Sequence, residues 1–254
     1  MAVSAREGDD KPELVESVAG GRHRKGGPQK KKSGPLHVLR ETAIIVVSAL
    51  VLSALVRAFL IQAFYVPSAS MEETLMPNDR IIAAKIITRI SGVKRGEIVV
   101  FRDPGGWLPT PEPAAPGARS YLRSALTFIG LIPSDSGQDL VKRAIAISGD
   151  RIACCDEQGH IVLNGVPLVE SYVNGPTDQV RFDVVVPADS MFVLGDNRGN
   201  SRDSRYHLDV NNGGVPQADA VGRTVLTVWP FTRFGTHAIP EIFNNPAIAQ
   251  GAPN

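Results

Sequence analysis

Two serines stand one residue apart in Val66-Pro67-Ser68-Ala69-Ser70-Met71-Glu72-Glu73-Thr74-Leu75. A lysine, Lys142, sits in the otherwise apolar, strand-like run Leu140-Val141-Lys142-Arg143-Ala144-Ile145-Ala146-Ile147. A third stretch, Gly195-Asp196-Asn197-Arg198-Gly199-Asn200-Ser201-Arg202-Asp203-Ser204-Arg205, follows an apolar strand end and is dense in hydrogen-bonding groups. A serine hydroxyl is too weakly acidic to attack an acyl carbon unaided; it needs a base, and the oxyanion it creates needs donors. Histidine is the usual base. His23 and His37 fall in an N-terminal tail, and His160, His207 and His237 lie in no recognisable triad arrangement. The other base available to a serine is a lysine made neutral by burial. From its context alone, Lys142 is either an edge residue with its amine in water or a desolvated base. The third stretch is either a polar turn or a built site, and polar groups beside strand ends often form sites.

These residues need a frame. Ala43–Phe64 is about 22 residues, interrupted by Arg57, and would be about 33 Å long as a helix. That length spans a bilayer core. Arg57 near its far end can reach the headgroups, and Phe64 and Tyr65 occupy an interfacial aromatic position. A basic block of Arg22, Arg24, Lys25, Lys30, Lys31, Lys32 and Arg40 precedes it, which places the N-terminus in the cytoplasm and the rest outside. A cleaved leader would have a shorter apolar part and a shorter basic lead. A core helix would carry its apolar residues on one stripe, whereas here they go all round.

Beyond the span, β-rich runs recur: Glu97 to Phe101, Val141 to Ile147, Ile161 to Leu163, Phe182 to Val186, Met191 to Leu194 and Arg223 to Trp229. Asn164-Gly165 between two apolar runs is a hairpin signal. The expected fold class is mainly β: an antiparallel β catalytic domain preceded by one transmembrane helix. The expected organisation is a disordered tail over 1–41, the helix over 42–64, the β-domain over 65–239 with an insertion at about 104–136, and a flexible end over 240–254. Within the insertion, Trp107 to Arg119 reads as an extended loop and Ser120 to Ile132 as a short amphipathic helix.

The net charge of +1 gives no argument for nucleic-acid binding. The two cysteines, Cys154 and Cys155, are adjacent, so they supply no spaced metal-ligand set. Neighbours on a strand point to opposite faces, so both are expected as separate structural thiols rather than a bridge.

Taken in order, the apolar span, Pro-Ser-x-Ser-Met-x-x-Thr-Leu at Pro67–Leu75, Lys-Arg-Ala at Lys142–Ala144 followed by Gly149-Asp150, and Gly-Asp-Asn-Arg-x-x-Ser-x-Asp-Ser-Arg at Gly195–Arg205 resemble bacterial type I signal peptidases. The resemblance runs from about Ala43 to Trp229; the basic tail and single anchor look most like actinobacterial members. It implies that Ser70 is the nucleophile and Lys142 the general base. It further implies that the Ser68 hydroxyl and the Ser70 N–H form the oxyanion hole and that Ser201 orients the lysine amine. Asp196 would pair with Arg143, and Asp203 with Arg205. Val66, Pro67, Met71, Leu75 and Val141 would line shallow pockets for small side chains. Ala69 stands where a Gly is common, and Ala146 and Ser148 where Gly and Pro are common. No cofactor or metal is implied. The implied partners are preproteins with Ala-x-Ala-like sites, the lipid bilayer and, functionally, the export machinery, with the enzyme a monomer.

Other Ser/Lys hydrolases fit less well. Penicillin-recognising enzymes place Lys three residues after Ser, where this chain has Glu73. Repressor-type self-cleaving peptidases carry a DNA-binding domain where this chain has its apolar span. A non-catalytic anchored β-module would not need both Ser70 and Lys142.

Overall fold

The computed structural model describes residues 35–109, 117, 121, 126 and 138–250. The basic block before residue 35, the Arg57 side chain, most of the insertion including most of the stretch expected as an amphipathic helix, and residues 251–254 lie outside the described residues. The chain divides into two compact units, Met1–Ile44 and Ile45–Asn254.

Helix α1 runs Pro35–Phe59. Proline suits the first turn of a helix, where its missing N–H would have no partner anyway. The stretch Leu36–Val56 is long and apolar enough to cross a bilayer, and none of it is buried by protein. An all-round apolar helix without protein cover is what a bilayer, not a core, solvates.

The helix ends earlier than the sequence pattern predicts. Strand β1, Ile61–Tyr65, takes over and pairs antiparallel with β2, Arg80–Ala84, in the register Ile61↔Ala84 to Tyr65↔Arg80. The apolar run looks continuous through Phe64, but β2 offers it a hydrogen-bonding ladder and Phe64 packs into the core. The anchor is therefore displaced toward the N-terminus, and Leu36, Val38 and Leu39 belong to it.

A seven-residue helix, α2 (Lys85–Ser91), follows β2. Next come β3 (Ile98–Arg102), β4 (Asp139–Ile147), β5 (Arg151–Cys154), β6 (Ile161–Leu163), β7 (Val166–Pro167), β8 (Phe182–Val185), β9 (Ser190–Leu194), β10 (Val215–Pro216), β11 (Ala220–Trp229) and β12 (Gly235–Thr236). The large sheet has the order β1-β2-β11-β3-β4-β9-β10, with β12 on β11; the small one has the order β7-β6-β5-β8. Every named pairing is antiparallel. Asn164 and Gly165 turn the β6–β7 hairpin with φ of 51° and 82°, the left-handed conformation that Asn-Gly adopts at least cost.

Three apolar clusters form among the described residues. One, with Phe64, Val66, Met71, Leu75, Ile81 and Val100, lies beneath the serine segment. Another centres on Ile145, Ile152, Leu163 and Phe192, and includes Phe243 and Ile248. The C-terminal stretch is thus docked rather than frayed: Phe243 and Ile248 plug the core, and Asn164 Nδ2 donates to Ile248 O at 2.8 Å. Trp107 belongs to the third cluster. It meets Phe101 edge-on at 5.9 Å and stacks on His207 at 4.4 Å, so the start of the presumed loop is core.

The cysteine expectation is also corrected. Cys154 and Cys155 form a disulfide with each other. Cys154 is the last residue of β5 and Cys155 lies beyond it, so the rule that strand neighbours face apart does not apply across that end.

Candidate active site

Ser70 sits in the turn that joins β1 to β2. The neck of this loop is closed by Val66 N–H donating to Asp79 O at 2.9 Å and Asn78 N–H donating to Val66 O at 2.8 Å. Asp79 also accepts from Met76 N–H at 2.9 Å and pairs with Arg233 at 2.5 Å. Met71 and Leu75 point into the core beneath, which ties the turn to the sheet. Leu75 N–H donates to Met71 O at 2.7 Å, and Glu73 closes the bend at φ 79°. A non-glycine residue in that region is held by its surroundings, and such positions gather at functional sites.

Lys142 comes from β4, where Val99 of β3 is its register partner. Its side chain reaches across 72 positions of sequence to place Nζ 2.5 Å from Ser70 Oγ. Ser68 Oγ lies 3.3 Å from Ser70 Oγ on the solvent side. Lys142 is only 3% exposed and Ser70 7%. Burial pushes the lysine down from 10.5 to about 8; Asp203 and Asp196 pull it up and Arg205 pushes it further down. Burial dominates because an ammonium loses its hydration while the nearest carboxylates are occupied elsewhere.

Those carboxylates are engaged by arginines. Arg143 donates to Asp196 through Nε at 2.9 Å and through a terminal nitrogen at 2.6 Å. Arg205 donates to Asp203 at 2.8 and 3.0 Å. Both pairs are buried, and two-point contacts of this kind fix direction as well as charge. The structure thus brings Ser68, Ser70, Lys142, Arg143, Asp196, Asp203 and Arg205 into one region.

Ser201 is placed differently from a lysine ligand. Its Oγ is buried and has no hydrogen-bond partner among the described residues. It packs against Gly195, where an added Cβ would lie 2.2 Å from Ser201 Oγ and 2.4 Å from Ser70 O. Only glycine fits between the two serine segments.

The pocket residues divide by exposure. Leu75, Met71 and Val66 are at most 2% exposed, so they support the site from below rather than line a surface. Pro67 is exposed, and Val141 is half-buried against the cluster of Phe64, Val66 and Met71.

Further residues escape a reading of the sequence. Thr74 Oγ1 donates to Asp196 at 2.5 Å, linking the Ser70 turn to the Arg143 pair. Tyr172 lies under the Arg143 guanidinium, 4.0 Å from ring centroid to carbon, and its hydroxyl donates to Glu170. Arg198 donates to Glu170 at 2.7 and 2.8 Å. Arg198 stands within the polar motif and was discoverable there. Glu170 and Tyr172 lie between β7 and β8 in a segment without period or motif, so no signal marks them.

The chain is similar to known proteins in the same sense. Residues 39–229 match the family described as "Signal peptidase, peptidase S26". A probable signal peptidase I of Mycobacterium leprae is 34% identical over 238 residues, 81% of this chain and 80% of that one. Signal peptidase I of Mycobacterium tuberculosis (strain CDC 1551 / Oshkosh) is 35% identical over 225 residues, 78% of this chain and 74% of that one. Among solved structures, a signal peptidase I of Enterococcus faecalis V583 is 25% identical, covering 52% of this chain and 95% of that one at a TM-score of 0.33.

Proposed function

The chain belongs to the signal peptidase family, peptidase S26, and from that premise we propose that Ser70 is its nucleophile and Lys142 its general base. The reaction of the family is removal of signal peptides from preproteins, and this chain is such a serine peptidase with one candidate transmembrane helix. The observation that carries the assignment of residues is the 2.5 Å contact between Lys142 Nζ and Ser70 Oγ inside a buried site.

The steps follow from that contact. Neutral Lys142 takes the Ser70 proton as Oγ bonds to the scissile carbonyl carbon. The carbonyl oxygen becomes an oxyanion, held by the Ser70 N–H and the Ser68 hydroxyl. The Lys142 ammonium then gives its proton to the leaving nitrogen, which becomes the amino terminus of the mature protein. The signal peptide is left as an ester on Ser70. Water attacks the ester with Lys142 again as base, the Oγ–carbon bond breaks, and the proton returns to Ser70.

Pro67 and Val141 offer shallow apolar walls, so we read the preferred sites as Ala-x-Ala-like, with small residues at −1 and −3. The N-terminus lies in the cytoplasm and the peptidase domain on the opposite side of the membrane.

The test is incubation of wild type, Ser70→Ala and Lys142→Arg with a preprotein in detergent, followed by N-terminal sequencing of the product. Both variants are expected to be inactive, since a guanidinium cannot lose its proton in this range. Turnover by either variant removes that residue from its role.

A further inference from the structure

Ser70 is held from outside its own turn by a residue to which the chemistry above gives no part. Asn197 meets the turn at three points. Its backbone N–H donates to Ser70 O at 3.1 Å, and its Nδ2 donates to Ala69 O at 3.1 Å and to Glu72 Oε2 at 3.0 Å. Both partners of the side chain are acceptors, which identifies the amide nitrogen. Asn197 is 7% exposed, and 125 and more positions of sequence separate it from its side-chain partners. Within the turn, Ala69 O accepts one other bond, from Glu72 N–H at 3.1 Å.

The geometry of the peptide unit gives this contact its meaning. Ala69 C=O and Ser70 N–H belong to one planar, trans amide, so the N–H points opposite to the C=O. Fixing the direction of Ala69 O therefore fixes the aim of the Ser70 N–H. The bond from Asn197 N–H to Ser70 O pins the next amide, so Ser70 is clamped on both sides of its Cα. The Ser70 N–H itself finds no acceptor among the described residues, which leaves it for a ligand. Donation into Ala69 O also polarises the amide and strengthens its N–H as a donor.

We infer that Asn197 is a positioning residue for the oxyanion site: it holds the Ala69–Ser70 peptide plane so that the Ser70 N–H meets the oxyanion formed on the scissile carbonyl. This inference rests on the reading of Ser70 as nucleophile.

The experiment compares Asn197→Ala with wild type and Ser70→Ala on a preprotein, measuring kcat, KM and the pH–rate midpoint. Loss of one oxyanion donor costs about 10²–10³ in kcat, so a misaimed donor is expected to cost about 10–100-fold. KM should stay within about twofold and the pH midpoint should not move, because ground-state binding and the lysine are untouched. A raised KM with unchanged kcat, or a kcat within about twofold of wild type, overturns the inference while an inactive Ser70→Ala leaves the nucleophile standing. An active Ser70→Ala overturns both.

A second pair separates aim from fold. Asn197→Asp sets a carboxylate against Glu72 and the Ala69 carbonyl oxygen, and should lose both Tm and kcat. Adding Glu72→Gln removes the carboxylate clash but restores no donor to Ala69 O. The double variant should regain Tm and keep the low kcat. Recovery of kcat together with Tm would mean that Asn197 acts through stability alone.

Discussion

A lysine that takes a proton at working pH cannot keep its hydration, and Lys142 has lost it. Burial brings it to about 8 from 10.5. Two consequences follow. The rate should rise with pH through a midpoint near 8 and level off above it, because the reactive form is the neutral amine. The stability consequence has a definite sign. The folded value lies below the unfolded one, so between pH 8 and 10.5 the unfolded chain binds more protons and wild-type stability rises with pH. Below about 8 the full penalty of a buried ammonium is present, roughly 3 kcal/mol for a shift of this size. Lys142→Met should therefore be inactive yet melt higher than wild type at pH 7, with the gain shrinking as pH approaches 10. Melting curves of both proteins at pH 7, 8.5 and 10 check this; a Met variant that melts lower at pH 7 and gains nothing relative to wild type would contradict it. The sequence showed a lysine in an apolar run but not which way its amine faced. Only the partner at Ser70, far away along the chain, decides between an edge residue and a base.

At the scale of elements, β4 and β9 are adjacent strands, and each delivers part of the site. β4 carries Lys142 and Arg143; β9 runs into Gly195, Asp196 and Asn197. Most of these strands were legible, since runs such as Met191 to Leu194 are bounded by turn residues. β1 and β2 were not. Ile61–Tyr65 looks like the end of an apolar helix, and only its ladder with Arg80–Ala84 makes it a strand. The Pro- and Asn-rich C-terminus was misread because Phe243 and Ile248 act as two isolated plugs, without a period to betray them. The crossing of β9's end with the Ser70 turn gives a sharp prediction. In Gly195→Ala, the new methyl would sit 2.2 Å from Ser201 Oγ and 2.4 Å from Ser70 O. Overpacking of this kind costs about 1–3 kcal/mol. Ser201 can be trimmed, but Ser70 O cannot move without moving the rest of Ser70. Gly195→Ala should lose stability and at least 10-fold in kcat, the scale of a displaced reacting group. Adding Ser201→Gly should recover stability but not kcat. Denaturant melts and initial rates on the two variants make the comparison. A fully active Gly195→Ala would mean that the turn tolerates displacement.

For the whole molecule, the question is which side of a membrane the peptidase faces. A helix as long and uncovered as Leu36–Val56 needs a bilayer, but an apolar stretch has no direction of its own. Direction comes from charge on the flanks. Arg22, Arg24, Lys25, Lys30, Lys31, Lys32 and Arg40 lie before or at the start of the apolar stretch, and the orientation proposed above puts that end in the cytoplasm on their account. Four residues separate the end of β1 at Tyr65 from Ser70, so on the other side the chain reaches its proposed nucleophile almost at once. The opposite orientation would put the site in the cytoplasm, where an exported chain's cleavage point never emerges. Val210 is 62% exposed on a polar turn of the peptidase domain and is a suitable reporter. In intact cells, Val210→Cys should react with a membrane-impermeant thiol reagent, and Ser33→Cys should react only after permeabilisation. The unsubstituted chain, whose two cysteines are bonded to each other, is the blank. Replacing Lys30, Lys31 and Lys32 by Asn should weaken the bias and yield a fraction of chains labelled at Ser33→Cys without permeabilisation. Labelling of Ser33→Cys but not of Val210→Cys in intact cells bearing the native basic block would reverse the orientation and, with it, the route by which substrates reach Ser70.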